Sequence, residues 1–203
     1  MTTFALHLTD FHEPALAGEH LLAGAADITA AMEASPGFTT LWLSDHVHNL
    51  GPGGPTAPMP ESYVLLAALA ARTTTLELGV LATSVMYRPP ALLAKMVTTL
   101  DVISGGRAIL GIGAGHPRTK AEHQVYGCDF PAIGERMARL GTALETIRSM
   151  VGPVPGDGAP PNWPRPARPG GIPILVAGSG EQYLLRIAAR YADLINLSFP
   201  SGD

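Results

Sequence analysis

The chain has 203 residues, of which 46% are hydrophobic and 15% charged, a composition that suits one substantial buried core and is unlike disordered or collagen-like sequences. Thirteen Lys and Arg against seventeen Asp and Glu give a formal net charge of -4 with no basic run, which argues against a partner held through nucleic-acid phosphates. The single cysteine, Cys128, cannot close an internal disulfide, and Met1 to Leu8 offers neither a basic segment nor a long apolar one, so a reducing, cytoplasmic setting is expected.

No apolar stretch reaches the roughly 20 residues that a membrane-spanning helix needs before Gly, Pro or a charge breaks it. Gly (23) and Pro (19) stand well above the ordinary combined usage of about 12%, which points to many tight turns and to sites built from backbone.

Short aliphatic runs alternate with longer amphipathic ones, the pattern of parallel strands joined by crossover helices. Phe4 to Leu8 reads as the first strand and Glu19 to Ala34 as its helix, with Leu21, Leu22, Ala25, Ile28 and Met32 at helical spacing. Thr39 to Leu43 is the second strand; after a Gly/Pro loop, Glu61 to Arg72 is a helix entered through Pro60. Leu76 to Ala82 is the third strand. The helix from Ala91 to Ser104 follows Pro89-Pro90 and stops at Gly105-Gly106. Arg107 to Gly113 is the fourth strand, followed by a polar excursion and a helix from Gly134 to Val151. The Pro-rich segment Gly152 to Gly171 reads as a surface loop within a single domain spanning residues 1–203, because too little chain follows it for a second core. Ile172 to Ala177, Glu181 to Tyr191 and Asp193 to Leu197 complete the series as strand, helix and strand.

Six strands in βα order leave two architectures: an open doubly wound sheet, which the length favours, or most of an eight-stranded barrel. In both, ligands gather at the carboxyl ends of the strands. Those ends are His7 to Asp10, Ser44 to His48, Ala82 to Arg88, Gly113 to His116, Gly178 to Gly180 and Asn196 to Ser198.

Ser44-Asp45-His46-Val47-His48 sets a carboxylate and two imidazoles at one strand exit, where they can do proton chemistry or bind a metal. A metal needs more ligands than the later strand ends offer, since only His116 is available there, and no metal is expected. Asp45 can equally cap the local turn, with His48 in solvent. Gly178-Ser179-Gly180 can hold a phosphate through backbone N–H groups, or form a tight turn with Ser179 as a helix cap. Gly111-Ile-Gly-Ala-Gly115 has the letters of a dinucleotide fingerprint but follows the fourth strand without opening a helix; its glycines better suit the close approach of a flat ring. Trp42, Met86 and Tyr87 are either cofactor lining or packing residues. Cys128 has no nearby base and reads as inert.

The order and spacing of Glu61 to Thr73, Leu78 to Lys95, Thr99 to Arg107, Leu110 to Gly115, Phe130 to Arg136 and Pro173 to Glu181 resemble the luciferase-like monooxygenase superfamily, especially its deazaflavin (F420)-dependent branch. The resemblance covers nearly the whole chain and implies a (β/α)8 TIM-barrel-like fold, here with about six βα units, holding F420, or alternatively FMN, at its C-terminal face. It implies that Asp45 and His46 lie near the ring as catalytic groups. It further implies that Leu81, Ala82 and Thr83 form a strand-three bulge against the ring, often with a non-prolyl cis peptide at Leu81-Ala82. Gly113, Ala114, Gly115 and His116 would flank the ring, and Gly178, Ser179 and Gly180 would hold the cofactor phosphate. The implied activity is that of an oxidoreductase or monooxygenase acting on a small organic substrate. The alternative is a non-catalytic flavin-binding or assembly subunit. At the position of His116, the F420-dependent sugar-phosphate dehydrogenases carry glutamate and the wider family more commonly tryptophan. Exposed edges on the first and sixth strands lead us to expect a covering partner, a homodimer or another subunit.

Overall fold

Strand-forming and helix-forming runs take the places their periodicity indicates. The computed structural model describes residues 2–51, 53–180 and 182–197. In chain order the elements are β1 (Phe4–Leu8), α1 (Leu21–Ala34), β2 (Phe38–Leu43), α2 (Ser62–Ala70), β3 (Glu77–Val80), β4 (Thr83–Ser84) and α3 (Pro90–Ser104). They continue with β5 (Ala108–Gly113), α4 (Lys120–Val125), α5 (Ile133–Val151), β6 (Ile174–Gly178), α6 (Leu184–Tyr191) and β7 (Leu194–Leu197). The termination signals act as expected: α3 opens with proline and closes on Gly105 at φ +69°, a left-handed conformation that costs glycine little. Glu61 caps α2, its carboxylate accepting the Val64 amide at 2.6 Å.

Three expectations are corrected. The third strand ends at Val80 and resumes as β4, on the far side of Leu81-Ala82, whose peptide is cis. The polar excursion contains α4, entered through a 3-10 turn at Pro117–Thr119 whose start is capped by His116 Nδ1 accepting the Arg118 amide at 3.2 Å. α6 begins at Leu184, three residues later than read from sequence; Glu181, where that reading started it, lies outside the described residues, as does Ser198 of the last strand end.

All paired strands are parallel, in the order β1-β2-β3-β5-β6-β7 with β4 beside β5. A doubly wound sheet reverses its strand order at a switch point. This order runs sequentially from edge to edge, and the sheet forms a half-barrel with helices around it, an incomplete TIM-barrel-like fold. β1 and β7 each pair on one side only among the described strands.

Alternation along the strands divides the side chains between two faces. Leu41, Leu43, Leu78, Val80, Leu110, Ile112, Ile174 and Val176 join the large core under the helices. Trp42, Ile109 and Leu175 form a separate cluster on the inner face. Gly79 makes room for the indole, since a Cβ there would lie 2.4 Å from the Trp42 ring, and Gly111 makes room for the neighbouring strand, since a Cβ there would lie 2.0 Å from the Val80 carbonyl oxygen. Trp42 is thus interior packing and does not line the cavity described below. Among the described residues, no helix is long and apolar enough to cross a membrane.

The turn into β3 hangs on Glu33. One carboxylate oxygen accepts the Thr74, Thr75 and Leu76 amides and the Thr75 hydroxyl at 2.6–3.3 Å. Burial opposes ionisation, but the amide and hydroxyl donors outweigh it and bring the Glu33 pKa down to about 2. A depressed folded-state value stabilises the fold above the unfolded carboxylate range, and the contribution fades as pH falls toward 2. For this partly exposed group the effect is expected to be about 1–2 kcal/mol after solvent screening. Urea unfolding of Glu33→Gln should show that deficit at pH 7 and a much smaller one at pH 3; equal deficits would refute the assignment.

Candidate active site

The strand exits of the half-barrel surround a cavity of about 830 Å³. Of the residues expected there, Asp45, His46, Leu81, Ala82, Thr83, Gly113, Ala114, Gly115, His116, Gly178 and Ser179 line it. Gly180 does not, and neither do His48, which is half-buried elsewhere, or Met86, which faces a neighbouring cleft. Tyr87 lines both. Ser179 is exposed and cannot cap α6, which starts five residues further on, so any anion at Gly178-Ser179 is held by the turn alone and not by a helix terminus. Among the described residues, no group of three or more His, Cys, Asp or Glu is placed to hold a metal ion.

Asp45 is held in a buried network at the β2 exit. Its carboxylate is buried and accepts two bonds from Arg88, at 2.6 and 3.0 Å, and one from the Ser62 hydroxyl at 2.7 Å. Arg88 also reaches Glu61 at 2.5 Å and lies over the Tyr63 ring. Burial opposes the charge on Arg88, but the Asp45 bonds and field hold it above its usual value. With both oxygens occupied, Asp45 ties the exit of β2 to the segment after β4.

His46 is better placed for chemistry. Its Nδ1 lies 3.0 Å from Glu122 Oε2, and the other oxygen of Glu122 accepts the Val47 amide at 2.5 Å. Glu122 is fully buried; burial disfavours its charge, but His46 and the Val47 amide outweigh that and hold the carboxyl below its usual range. His7, from β1, meets the Ser44 hydroxyl at 3.1 Å, and burial, followed by the nearby His46, pushes its pKa down.

A fully buried histidine supports the floor of the cavity. His123 places Nδ1 2.7 Å from the Thr119 carbonyl, which can only accept, so Nδ1 donates and Nε2 accepts from the Ser84 hydroxyl at 2.8 Å. Burial lowers the His123 pKa and keeps the ring neutral. Tyr87 stacks on it with centroids 4.0 Å apart, and Phe130 meets it edge-on. The Tyr87 hydroxyl is buried without a partner within hydrogen-bonding distance among the described residues; burial and then the field of Glu122 raise its pKa.

Arg136 contributes the cavity's uncompensated positive charge. Only 4% exposed, it donates to the Ala114 and Gly115 carbonyls at 2.8 and 2.5 Å and to the Pro131 carbonyl at 3.1 Å, with its guanidinium 4.1 Å from the Phe130 ring centroid. No carboxylate pairs with it among the described residues, and burial lowers its pKa. At Gly115, φ is +77° and a Cβ would lie 3.0 Å from Ser84 Oγ, so only glycine fits between the guanidinium and the β4 exit.

Ser84 and Arg88 fall within the strand end Ala82 to Arg88 read from sequence, without an assigned role, whereas Glu122, His123 and Arg136 lie outside the strand ends. Arg136 did leave a trace: it precedes Leu140 and Leu144 at four-residue spacing, on the stripe that α5 buries.

Comparison with known proteins agrees with this geometry. The family model of luciferase-like monooxygenases matches residues 1–201. A 5,10-methylenetetrahydromethanopterin reductase from Archaeoglobus fulgidus is 34% identical over 175 residues, 81% of this chain and 46% of that protein. An F420-dependent glucose-6-phosphate dehydrogenase from Kineococcus radiotolerans is 34% identical over 154 residues, covering 71% of this chain and 43% of the relative. Among solved structures, an F420-dependent secondary alcohol dehydrogenase in complex with an F420-acetone adduct superposes with a TM-score of 0.75 at 19% identity, over 97% of this chain and 58% of the other. The FMN-bound oxygenating constituent of 3,6-diketocamphane monooxygenase from Pseudomonas putida gives 0.68 at 19%, over 96% and 57%. The chain spans about half the length of the curated relatives it matches. The family model's match from end to end of the described half-barrel makes this chain a member of the luciferase-like monooxygenase family.

Proposed function

We propose that the cavity binds a flavin-type redox cofactor, F420 in preference to FMN, and that the chain serves as an oxidoreductase acting on a small organic substrate. The observation that carries this reading is the buried Arg136 cation, which has no carboxylate partner among the described residues and lines a cavity of about 830 Å³. A buried guanidinium whose hydrogen bonds go only to carbonyls is well suited to an anionic group, and both cofactors carry phosphate. The residues present therefore fit the group. Arg136 with the Gly178-Ser179 turn would hold the phosphate, while Leu81, Ala82, Thr83 and Gly113 to Gly115 would flank the ring. Bound there, a deazaflavin supplies hydride transfer, and a flavin supplies hydride transfer or oxygen activation.

The protein's own part is binding, orientation and proton handling. His46 holds or moves a proton at Nε2, the nitrogen that Glu122 leaves uncommitted. Asp45 and Arg88 fix the β2 exit that carries it. Tyr87 and His123 close the floor beneath the mouth with stacked rings. The preference for F420 rests on the Ser44-Asp45-His46 element and on the F420-dependent relatives.

Separate titrations with F420 and FMN, followed by visible absorbance, test the reading: saturable binding supports it, and no binding of either overturns it. Ser179→Asp is expected to weaken binding by about tenfold or more by setting a carboxylate against the phosphate. Unchanged affinity would place the phosphate elsewhere. The open edges at β1 and β7 favour a second reading, a binding or assembly subunit whose edges a second copy or another subunit covers. Tight binding without turnover in reductase and oxidase assays would select it.

A further inference from the structure

We propose that Glu122 is a positioning residue that locks His46 in one tautomer, with the proton on Nδ1 and the bare Nε2 turned to the cavity, so that His46 works as a proton acceptor.

An imidazole in water samples both neutral tautomers, and only a neighbour that accepts at one nitrogen chooses between them. At His46 that neighbour is a carboxylate, Glu122 Oε2 at 3.0 Å from Nδ1. A carboxylate held ionised has no proton to give, so Nδ1 must donate. Its ionised state is enforced by a second donor that cannot be withdrawn, the Val47 backbone amide on Oε1. Because Val47 follows His46 directly, one carboxylate grips both the ring and the backbone that carries it.

The charged and titratable groups around His46 fit this arrangement: the Tyr87 and Tyr126 hydroxyls are neutral donors, the latter bonded to the Val47 carbonyl, and buried His123 is pushed toward its neutral form. Glu122 comes from α4, His7 from β1 is pushed toward its neutral form, and Asp45 on the same strand exit is neutralised by Arg88. The imidazole lines the cavity, and Nε2 has no hydrogen-bond partner among the described residues. A molecule engaging it must present an O–H or N–H. When that proton moves to Nε2, the bond to the donor's oxygen or nitrogen breaks and the imidazolium that forms sits against the Glu122 negative charge. The substrate side of the site is therefore built for a protic group, such as a hydroxyl that loses its proton.

The use of this base rests on the proposed function, but the tautomer does not, so the experiment is done without any cofactor. Protein carrying 15N-histidine is examined by long-range 1H–15N correlation at mildly alkaline pH, with His46 assigned from a His46→Gln variant. The expected result is a protonated Nδ1 and a bare Nε2 at His46. Glu122→Ala is expected to shift the population to the Nε2-protonated form that free imidazole prefers, which a purely structural role for Glu122 would not require. An Nε2–H tautomer in the wild-type chain, or an Nδ1–H form that persists in Glu122→Ala, would overturn the proposal. Should the alanine variant fail to fold, the wild-type spectrum decides the matter alone. A wrong tautomer combined with normal F420 binding would sink this inference while leaving the cofactor reading intact.

Discussion

Asp45→Ala is expected to destabilise the fold by about 3 kcal/mol or more, because it strands the Arg88 guanidinium in a buried site. Arg88 would lose two of its three carboxylate bonds, at 2.6 and 3.0 Å, keeping only the one to the more exposed Glu61, and Ser62 would lose its acceptor. The comparison that isolates the cause is a double variant: Asp45→Leu with Arg88→Met removes both charges and should recover much of the loss, since a buried pair is often replaceable by apolar groups of similar volume. Denaturant unfolding midpoints measure both. A loss below about 1 kcal/mol for Asp45→Ala would return Asp45 to the candidate proton-transfer groups, since pairs that weak are typical of exposed sites.

Arg136→Gln is expected to reduce affinity for a phosphate-bearing flavin or deazaflavin by about 30-fold to 1000-fold, the range that follows from losing a desolvated charge partner worth about 2–4 kcal/mol. The side chain also holds the Ala114 and Gly115 carbonyls, so part of any loss could come from the turn itself. Two controls separate these causes. Arg136→Lys keeps the charge and gives up the fork, so its affinity should fall between those of the wild type and the glutamine variant. Riboflavin, which has the ring without the phosphate, should bind wild type and Arg136→Gln alike. If riboflavin binding falls as steeply as FMN binding, Arg136 supports the turn and carries no anion.

Periodicity in this chain exposes what packs, and it hides what pairs across long distances. The strands and long helices were legible because their signals are local: short aliphatic runs in β2 and β5, four-residue spacing in α5, Pro90 and Gly105 at the ends of α3. The choice between an open sheet and a barrel was not local. It depended on spatial strand order, which length misjudged and family resemblance read correctly. α4 escaped notice because its six residues are mostly polar and too few for a period to show.

The site followed the same division. Glycines at the β5 and β6 exits announced themselves by type, and His46 by its place after a strand. Their partners lie far along the chain: Glu122 is 76 residues from His46, and Arg88 is 43 from Asp45. With Asp45 next to His46, sequence made them a natural pair; the fold gives each a different partner. Arg136 lies in the first turn of α5, where the dipole disfavours positive charge. Its burial against the Ala114 and Gly115 carbonyls supplies the reason for the exception.

A redox ring bound by this chain is expected to settle at the mouth of the half-barrel. Crystals grown with excess F420, and in parallel with FMN, should show the ring over Leu81-Ala82, its edge toward His46 and its phosphate between Arg136 and the Gly178-Ser179 turn. Density for either cofactor outside this mouth, or a mouth filled by the protein's own side chains despite saturating cofactor, would contradict it.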